Sequence, residues 1–315
     1  MKRIMILFTV VCMMIIWCMN SAFFAPPKMS KAQLGRLLFS EKILSKNRTI
    51  SCASCHIPKF GFADTTALSK GIDGNLTSRN TPSVLNMKNR PYFFWDGRAE
   101  TLEEQSLQPI QHPKEMGLPI KEAVKRLNEN ATYRRLFMQV FNELPNAKNL
   151  SVAFAAFENT LETGNSKFDD SVDDKVVLSA SEERGRLLFI GSKAKCFNCH
   201  RGEDFTNDEF RNIGLFDGQT LNDSGRFLIT REPSDLGKFK VPGLRNVGIT
   251  APYMHNGMFN TLEQVIEYYN NPEAFVGYPK NIDADLAIPL RLTKQEKADL
   301  VAFLHTLTDK KYIKK

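Results

Sequence analysis

Cys52-Ala53-Ser54-Cys55-His56 and Cys196-Phe197-Asn198-Cys199-His200 decide the reading of this 315-residue chain. Each is a C-x-x-C-H string, the attachment signal for c-type haem: two thiols bond to the porphyrin vinyls and the histidine becomes an axial iron ligand. One copy is open to chance, or to half of a zinc site. Two copies, preceded by the identical strings Gly35-Arg36-Leu37-Leu38-Phe39 and Gly185-Arg186-Leu187-Leu188-Phe189, describe a duplicated haem-binding unit.

The length suffices for two domains, each with its own core. At 24% charged residues the composition is that of an ordinary globular protein. Four of the six cysteines sit in the haem motifs, and Cys12 and Cys18 lie in an N-terminal apolar run. That leaves no pair for a structural disulfide. The formal charge is +7. Loss of Lys2 and Arg3 leaves about +5, too small and dispersed to argue for nucleic acid as a partner. The scattered lysines read as a solvated surface.

Residues 1–25 read as a secretory signal or N-terminal anchor. Lys2 and Arg3 precede an apolar run from Ile4 to Met19, followed by Ala25-Pro26-Pro27. The run is short for a membrane span, which takes about 20 residues. Cleavage fits after Ala22 or Ala25. An uncleaved anchor and lipidation of Cys18 remain as alternatives, although Trp17 argues against the second. Export to the periplasm agrees with the motifs, because bacteria attach c-type haem outside the cytoplasm.

Helix starts are marked by S/T-x-x-E/Q strings at Ser30, Thr101, Ser179, Thr261 and Thr293. No segment alternates with the period of a strand, so the expected fold is all-α with long ordered loops. Expected helices run over Ser30–Phe39, from Leu102 to a break at Pro109, and over Ile120–Leu127 and Ser151–Thr163. Two more begin at Thr261 and Thr293. On the Thr261 helix, Leu262, Val265, Ile266 and Tyr269 recur at helical spacing. Polar residues 164–176 read as the linker between an N-terminal domain, 26–164, and a C-terminal domain, 165–315.

With both haem motifs, Phe94-Trp95-Asp96-Gly97-Arg98 and Pro252-Tyr253-Met254-His255-Asn256-Gly257 in place, the sequence resembles the bacterial di-haem cytochrome c peroxidase/MauG family from about Ser30 to Thr308. The resemblance implies two cytochrome c-like domains, each with one covalently attached c-type haem, and a calcium ion between them. It makes Cys52, Cys55 and His56 the holders of a peroxidatic haem, and Cys196, Cys199 and His200 the holders of an electron-transfer haem. Trp95 matches the tryptophan between the haems, against a competing reading as core packing. Gln105 and Glu115 match the polar pair of the peroxide pocket; the competing readings are a helix cap and a solvated turn residue. Asn80, Thr250 and Pro252 match calcium-binding positions, and His255 matches a hydrogen-bonding role near the second haem. His112, three residues before Glu115, reads as a surface turn histidine, with entry into the same pocket as the competing reading.

Two departures from the family pattern bear on function. Residues 57–79 hold no His, so the first haem is expected to have an open side. At the distal ligand of the second haem, usually Met, stands Tyr269, as in MauG, with Tyr268 pointing elsewhere. The competing readings are a core tyrosine with a bonded hydroxyl, or ligation by Met254 or Met258 in the adjacent turn. A tyrosinate lowers the haem potential relative to a thioether. The implied activity is reduction of hydrogen peroxide to water with electrons from a small donor protein, a cytochrome c or a cupredoxin. The alternatives are MauG-like oxidation of Tyr or Trp side chains of a partner protein, and a non-enzymatic di-haem electron carrier. A homodimer is left open.

Overall fold

The Ser30 hydroxyl accepts from the Gln33 amide while Gln33 Oε1 accepts from the Ser30 amide, so two donors that a helix start leaves orphaned are bonded at once. This opens α1 (Lys31–Phe39) in a computed structural model that describes residues 28–313. The N-terminal signal or anchor reading, with Cys12 and Cys18, lies outside the described residues. No described helix is long and apolar enough to cross a membrane.

After α1, the first half holds α2 (Leu102–Gln111), α3 (Ile120–Glu129), α4 (Ala131–Phe141) and α5 (Ala147–Glu158). The second half holds α6 (Lys167–Val172), α7 (Ala180–Ile190), α8 (Leu262–Asn270) and α9 (Lys294–His305). Each haem motif forms a single short helical turn. Among the described residues, the one sheet is a two-stranded antiparallel pair, Phe210–Arg211 with Phe239–Lys240. The expected helical fold with long loops is the one observed.

The glycine of the repeated string sets the helix packing in both halves. A Cβ on Gly35 would lie 1.9 Å from the Ala153 carbonyl oxygen on α5, and one on Gly185 the same distance from that of Asp299 on α9. Only glycine lets α1 cross α5, and α7 cross α9, with backbones in contact. Below the first crossing Leu34, Leu38, Phe137, Leu150 and Phe154 form a core drawn entirely from the first half. Below the second, Phe189, Phe205, Leu300, Phe303 and Leu304 form its counterpart.

Local structure departs from expectation in four places. α2 runs through Pro109 to Gln111, because a proline two residues from the end removes a single backbone bond, to the Gln105 carbonyl. α5 begins at Ala147, capped by the Asn146 side chain, rather than at Ser151, and ends at Glu158 rather than Thr163. α4 was not anticipated; Asn130 caps it. Inside the polar stretch 164–176, α6 carries Phe168, which packs against Phe205 and Phe303 with ring centroids 5.3 and 5.7 Å apart. Phe168 of that stretch is therefore packed on the second core. Lys240, moreover, is buried beside Asp208 rather than solvated.

Candidate active site

The two motif histidines are held alike. His56 Nδ1 donates to the Phe62 carbonyl at 3.0 Å and His200 Nδ1 to the Phe205 carbonyl at 2.9 Å. Phe62 and Phe205 both take φ 57°, which turns those carbonyls inward. A proton fixed on Nδ1 leaves Nε2 with a free lone pair, the form that binds metal. Burial lowers the pKa of both imidazoles and keeps them neutral. The four motif thiols are unpaired. Burial pushes Cys55 up to about 11 and Cys196 up to about 12.

Beside His200 lies a cavity of about 300 Å³. Its walls include both thiols of the second motif, the apolar Phe189, Val265 and Leu304, and Tyr269. Buried thiols, a neutral histidine and apolar walls form a donor set and a space that fit a covalently held c-type haem. Tyr269 and the Cys196 and Cys199 thiols act on one another electrostatically, and burial holds the phenol far above its ordinary pKa. Tyr268 points away from this cavity, as expected, but into a separate core cluster with Leu215, Phe259 and Val276, where its hydroxyl donates to the Ile213 carbonyl at 2.5 Å. Of the competing methionines, Met254 borders the cavity and packs against the Tyr268 cluster, while Met258 is exposed.

The duplication extends beyond the motifs. Antiparallel bridges Phe93↔Ala99 and Tyr253↔Phe259 close matching turns. Phe94 and Gly97 take φ 65° and 67°, and Met254 and Gly257 take 72° and 66°. Each turn runs into a threonine-capped helix, Thr101 before α2 and Thr261 before α8. In this register Trp95 corresponds to His255, and Pro109 stands where α8 carries Tyr269. Proline has no atom able to bind iron. In the sequence Pro109 stands out only as a helix break; superposing the two turn–helix strings gives its correspondence to Tyr269.

Around the first motif, Gln105 lies one helical turn before Pro109 on α2 and makes no side-chain hydrogen bond among the described residues, nor does it cap the helix. Glu115 lies within electrostatic reach of Cys52 and Cys55, raising both thiols. Burial pushes its own carboxyl up to about 7, against the pull of Arg98. The turn carrying Glu115 is fastened from both sides of the first motif: Ile72 N, in the loop that follows it, donates to the Glu115 carbonyl, and Lys46 N, which precedes it, to that of Met116, both at 2.8 Å. A Cβ on Gly71 would meet the Lys114 carbonyl oxygen at 1.9 Å. His112 sits on the turn with 38% of its side chain exposed, and its Nδ1 also lies 3.4 Å from Glu115 Oε1, so both readings of this histidine hold in part.

Trp95 joins the halves. Its indole Nε1 donates to the Asn80 carbonyl at 2.9 Å, and its own carbonyl accepts from Lys240 N at 2.8 Å. Asn80 N donates to the His255 carbonyl at 2.7 Å, and Asn80 Nδ2 to the carbonyls of Thr66 and Ala67. This leaves Asn80 Oδ1 free to bind a cation. Asn80, Thr250 and Pro252 border the same cavity as His200 and Tyr269. Among the described residues no cluster of three His, Cys, Asp or Glu exists, and an amide oxygen such as Asn80 Oδ1 is a hard donor of the kind calcium takes. The His255 ring stacks on Phe239 at 3.7 Å and makes no side-chain hydrogen bond; its carbonyl, not its imidazole, does the bonding.

The profile of the di-haem cytochrome c peroxidase family matches residues 29–176. The chain is 37% identical over 281 residues to the methylamine utilization protein MauG of Methylorubrum extorquens, covering 88% of this chain and 78% of that one. It is 36% identical over 287 residues to the cytochrome c551 peroxidase of Nitrosomonas europaea, covering 90% and 81%. A MauG-like protein associated with microbial copper homeostasis superposes with a TM-score of 0.81 at 35% identity, over 92% of this chain and 95% of that one. The diheme peroxidase BthA from Burkholderia thailandensis does so at 0.81 and 26%, over 92% and 88%. The chain belongs to the di-haem cytochrome c peroxidase/MauG family.

Proposed function

We propose that the protein is a cytochrome c peroxidase: it reduces hydrogen peroxide to two waters, taking two electrons from a small donor protein, a cytochrome c or a cupredoxin, and two protons from solvent. The observation that carries this reading is the unequal pair Pro109 and Tyr269. Tyr269 lines the cavity of the His200 half, whereas the matching position of the other half is a proline, which has no atom to bind iron and would leave that haem open to a substrate. Each half is a cytochrome c-like domain with one covalently attached c-type haem, on His56 or His200. The haems, when bound, supply the redox chemistry.

The protein's own groups supply the rest. Glu115, with a pKa of about 7, both takes and gives a proton at neutral pH, as moving a proton from the near to the far peroxide oxygen requires. Gln105, its amide unengaged, orients the bound peroxide. Trp95, bonded to Asn80 on one side and Lys240 on the other, is the packed link between the two haem sites. A calcium ion on Asn80 Oδ1, Thr250 and Pro252 would brace the same seam. The protein works in the periplasm, where its haems are attached.

The MauG-like reading, oxidation of Tyr or Trp side chains of a partner protein, is favoured by Tyr269. An inert electron carrier needs a sixth ligand on both irons, and α2 offers Pro109. The deciding experiment is the absorption spectrum of the resting holoprotein with and without peroxide, followed by peroxide-dependent oxidation of reduced cytochrome c. A high-spin signal and turnover are expected. Two intact haems with no turnover would sink the peroxidase reading.

A further inference from the structure

We propose that His112 positions Glu115 and relays protons between it and solvent. The proposal rests on the peroxidase reading for its purpose but on geometry for its substance. His112 closes α2: its amide donates to the Gln108 carbonyl, and its own carbonyl accepts from Glu115 N at 2.9 Å and Gly117 N at 3.0 Å. The turn therefore folds back and brings the two side chains together, with Nδ1 3.4 Å from Glu115 Oε1. Nδ1 is buried and has no hydrogen-bond partner in the resting arrangement, yet 38% of the side chain is exposed. The accessible part of the ring is thus elsewhere than Nδ1. An imidazole with one nitrogen against a half-buried carboxyl and another edge at the surface is built to conduct a proton.

The surrounding charges keep the pair from collapsing into a fixed ion pair. Arg98 faces both groups from the preceding turn, its Nε on Gln108 Oε1 at 3.1 Å, its Nη1 on Asp96, and its guanidinium 3.5 Å from the Phe94 ring centre. Lys114 adjoins on the same turn, the Cys52 and Cys55 thiols face Glu115 from the haem motif, and Lys46 and Asp73 flank the fastening loop. Burial and these cations keep His112 neutral while Glu115 titrates. In one relay event Nδ1–H passes to the Glu115 carboxylate as the other ring nitrogen takes a proton from water. One proton enters and one is delivered, and exchange with water then restores the starting tautomer.

The test uses the full-length holoprotein with both haems quantified, comparing H112A, H112Q and Glu115→Gln with the native chain. A pH-difference infrared titration follows the Glu115 carboxyl, its band identified by absence in Glu115→Gln. When Glu115 ionises, Nδ1–H has the new carboxylate as the acceptor in reach, which favours the ion, so H112A should raise the midpoint by about one pH unit, while H112Q, which keeps a donor, should hold it. The rate of reaction with peroxide should fall about tenfold or more in both variants above the midpoint, with free imidazole restoring H112A. An unmoved midpoint in H112A overturns the proposal, as does a rate loss that imidazole leaves unchanged. Native protein inert to peroxide would sink the peroxidase reading alone, because the infrared titration needs no turnover.

Discussion

Trp95 Nε1 donates to the carbonyl of Asn80 at 2.9 Å, and Asn80 N in turn donates to the carbonyl of His255 at 2.7 Å. Two hydrogen bonds thus run from the first turn–helix unit to its counterpart in the second. Trp95→Phe removes the donor and leaves the Asn80 carbonyl short of a partner, at a cost of about 1–3 kcal/mol. It should also slow the peroxide-driven change at the second haem at least tenfold, with haem content intact. Rapid-mixing spectroscopy of both haems checks this; equal rates would leave Trp95 as packing.

Tyr269 and Pro109 invite reciprocal substitutions. Tyr269→Phe should turn the second haem high-spin and leave the first as it was. Pro109→Met should do the opposite, placing a thioether over the first haem and cutting the peroxide reaction by a factor of about 100 or more, some 2.7 kcal/mol in the barrier. Electron paramagnetic resonance of the two variants reads both effects. If Tyr269→Phe leaves the spectrum unchanged, the second axial ligand is another group.

Glu158, at the end of α5, is buried, has no side-chain hydrogen bond among the described residues, and is pushed up to about 8 by burial. Its ordinary pKa of 4.5 is that of the unfolded chain. Between these values the unfolded chain releases a proton that the folded one retains, so stability falls as pH rises from 4.5 to 8. Glu158→Gln removes that slope. The variant should gain on the native protein between pH 5 and pH 8 by about 2–4 kcal/mol. Urea unfolding at the two pH values measures it, and an equal margin at both would refute it.

Gly35→Ala and Gly185→Ala each drive a methyl into a backbone carbonyl 1.9 Å away. The helix preference for alanine returns only about 1 kcal/mol, so both should be destabilised by about 3 kcal/mol or more. Loss of haem loading in the affected half, followed by pyridine haemochrome assay, is the expected sign. Normal stability in either variant would mean that the crossing can open without penalty.

Much of this was legible in the residues themselves. The C-x-x-C-H strings, the repeated Gly-Arg-Leu-Leu-Phe and the hydroxyl caps are local signals, and the helices at Ser30, Thr101, Ser179, Thr261 and Thr293 start where they said. α4 was overlooked because asparagine, not serine or threonine, opens it; its Tyr133, Leu136, Phe137 and Val140 do recur at helical spacing. The meeting of His112 with Glu115 was legible only as the lesser of two readings, a histidine three residues before Glu115 entering the same pocket. It depends on a turn folded over the His112 carbonyl, and a turn's side-chain geometry is decided by its surroundings, here the loop from Gly71. Pro109 was read as a helix breaker, when its place on the helix face was what mattered.

The loop that follows the first haem motif bears on how the molecule begins work. Gly71 and Ile72 hold the backbone of Glu115 from the moment the chain folds, and nothing between residues 57 and 79 carries an imidazole to be moved aside. The fully oxidised protein should therefore react at full speed on first mixing with peroxide, with no lag and no priming electron.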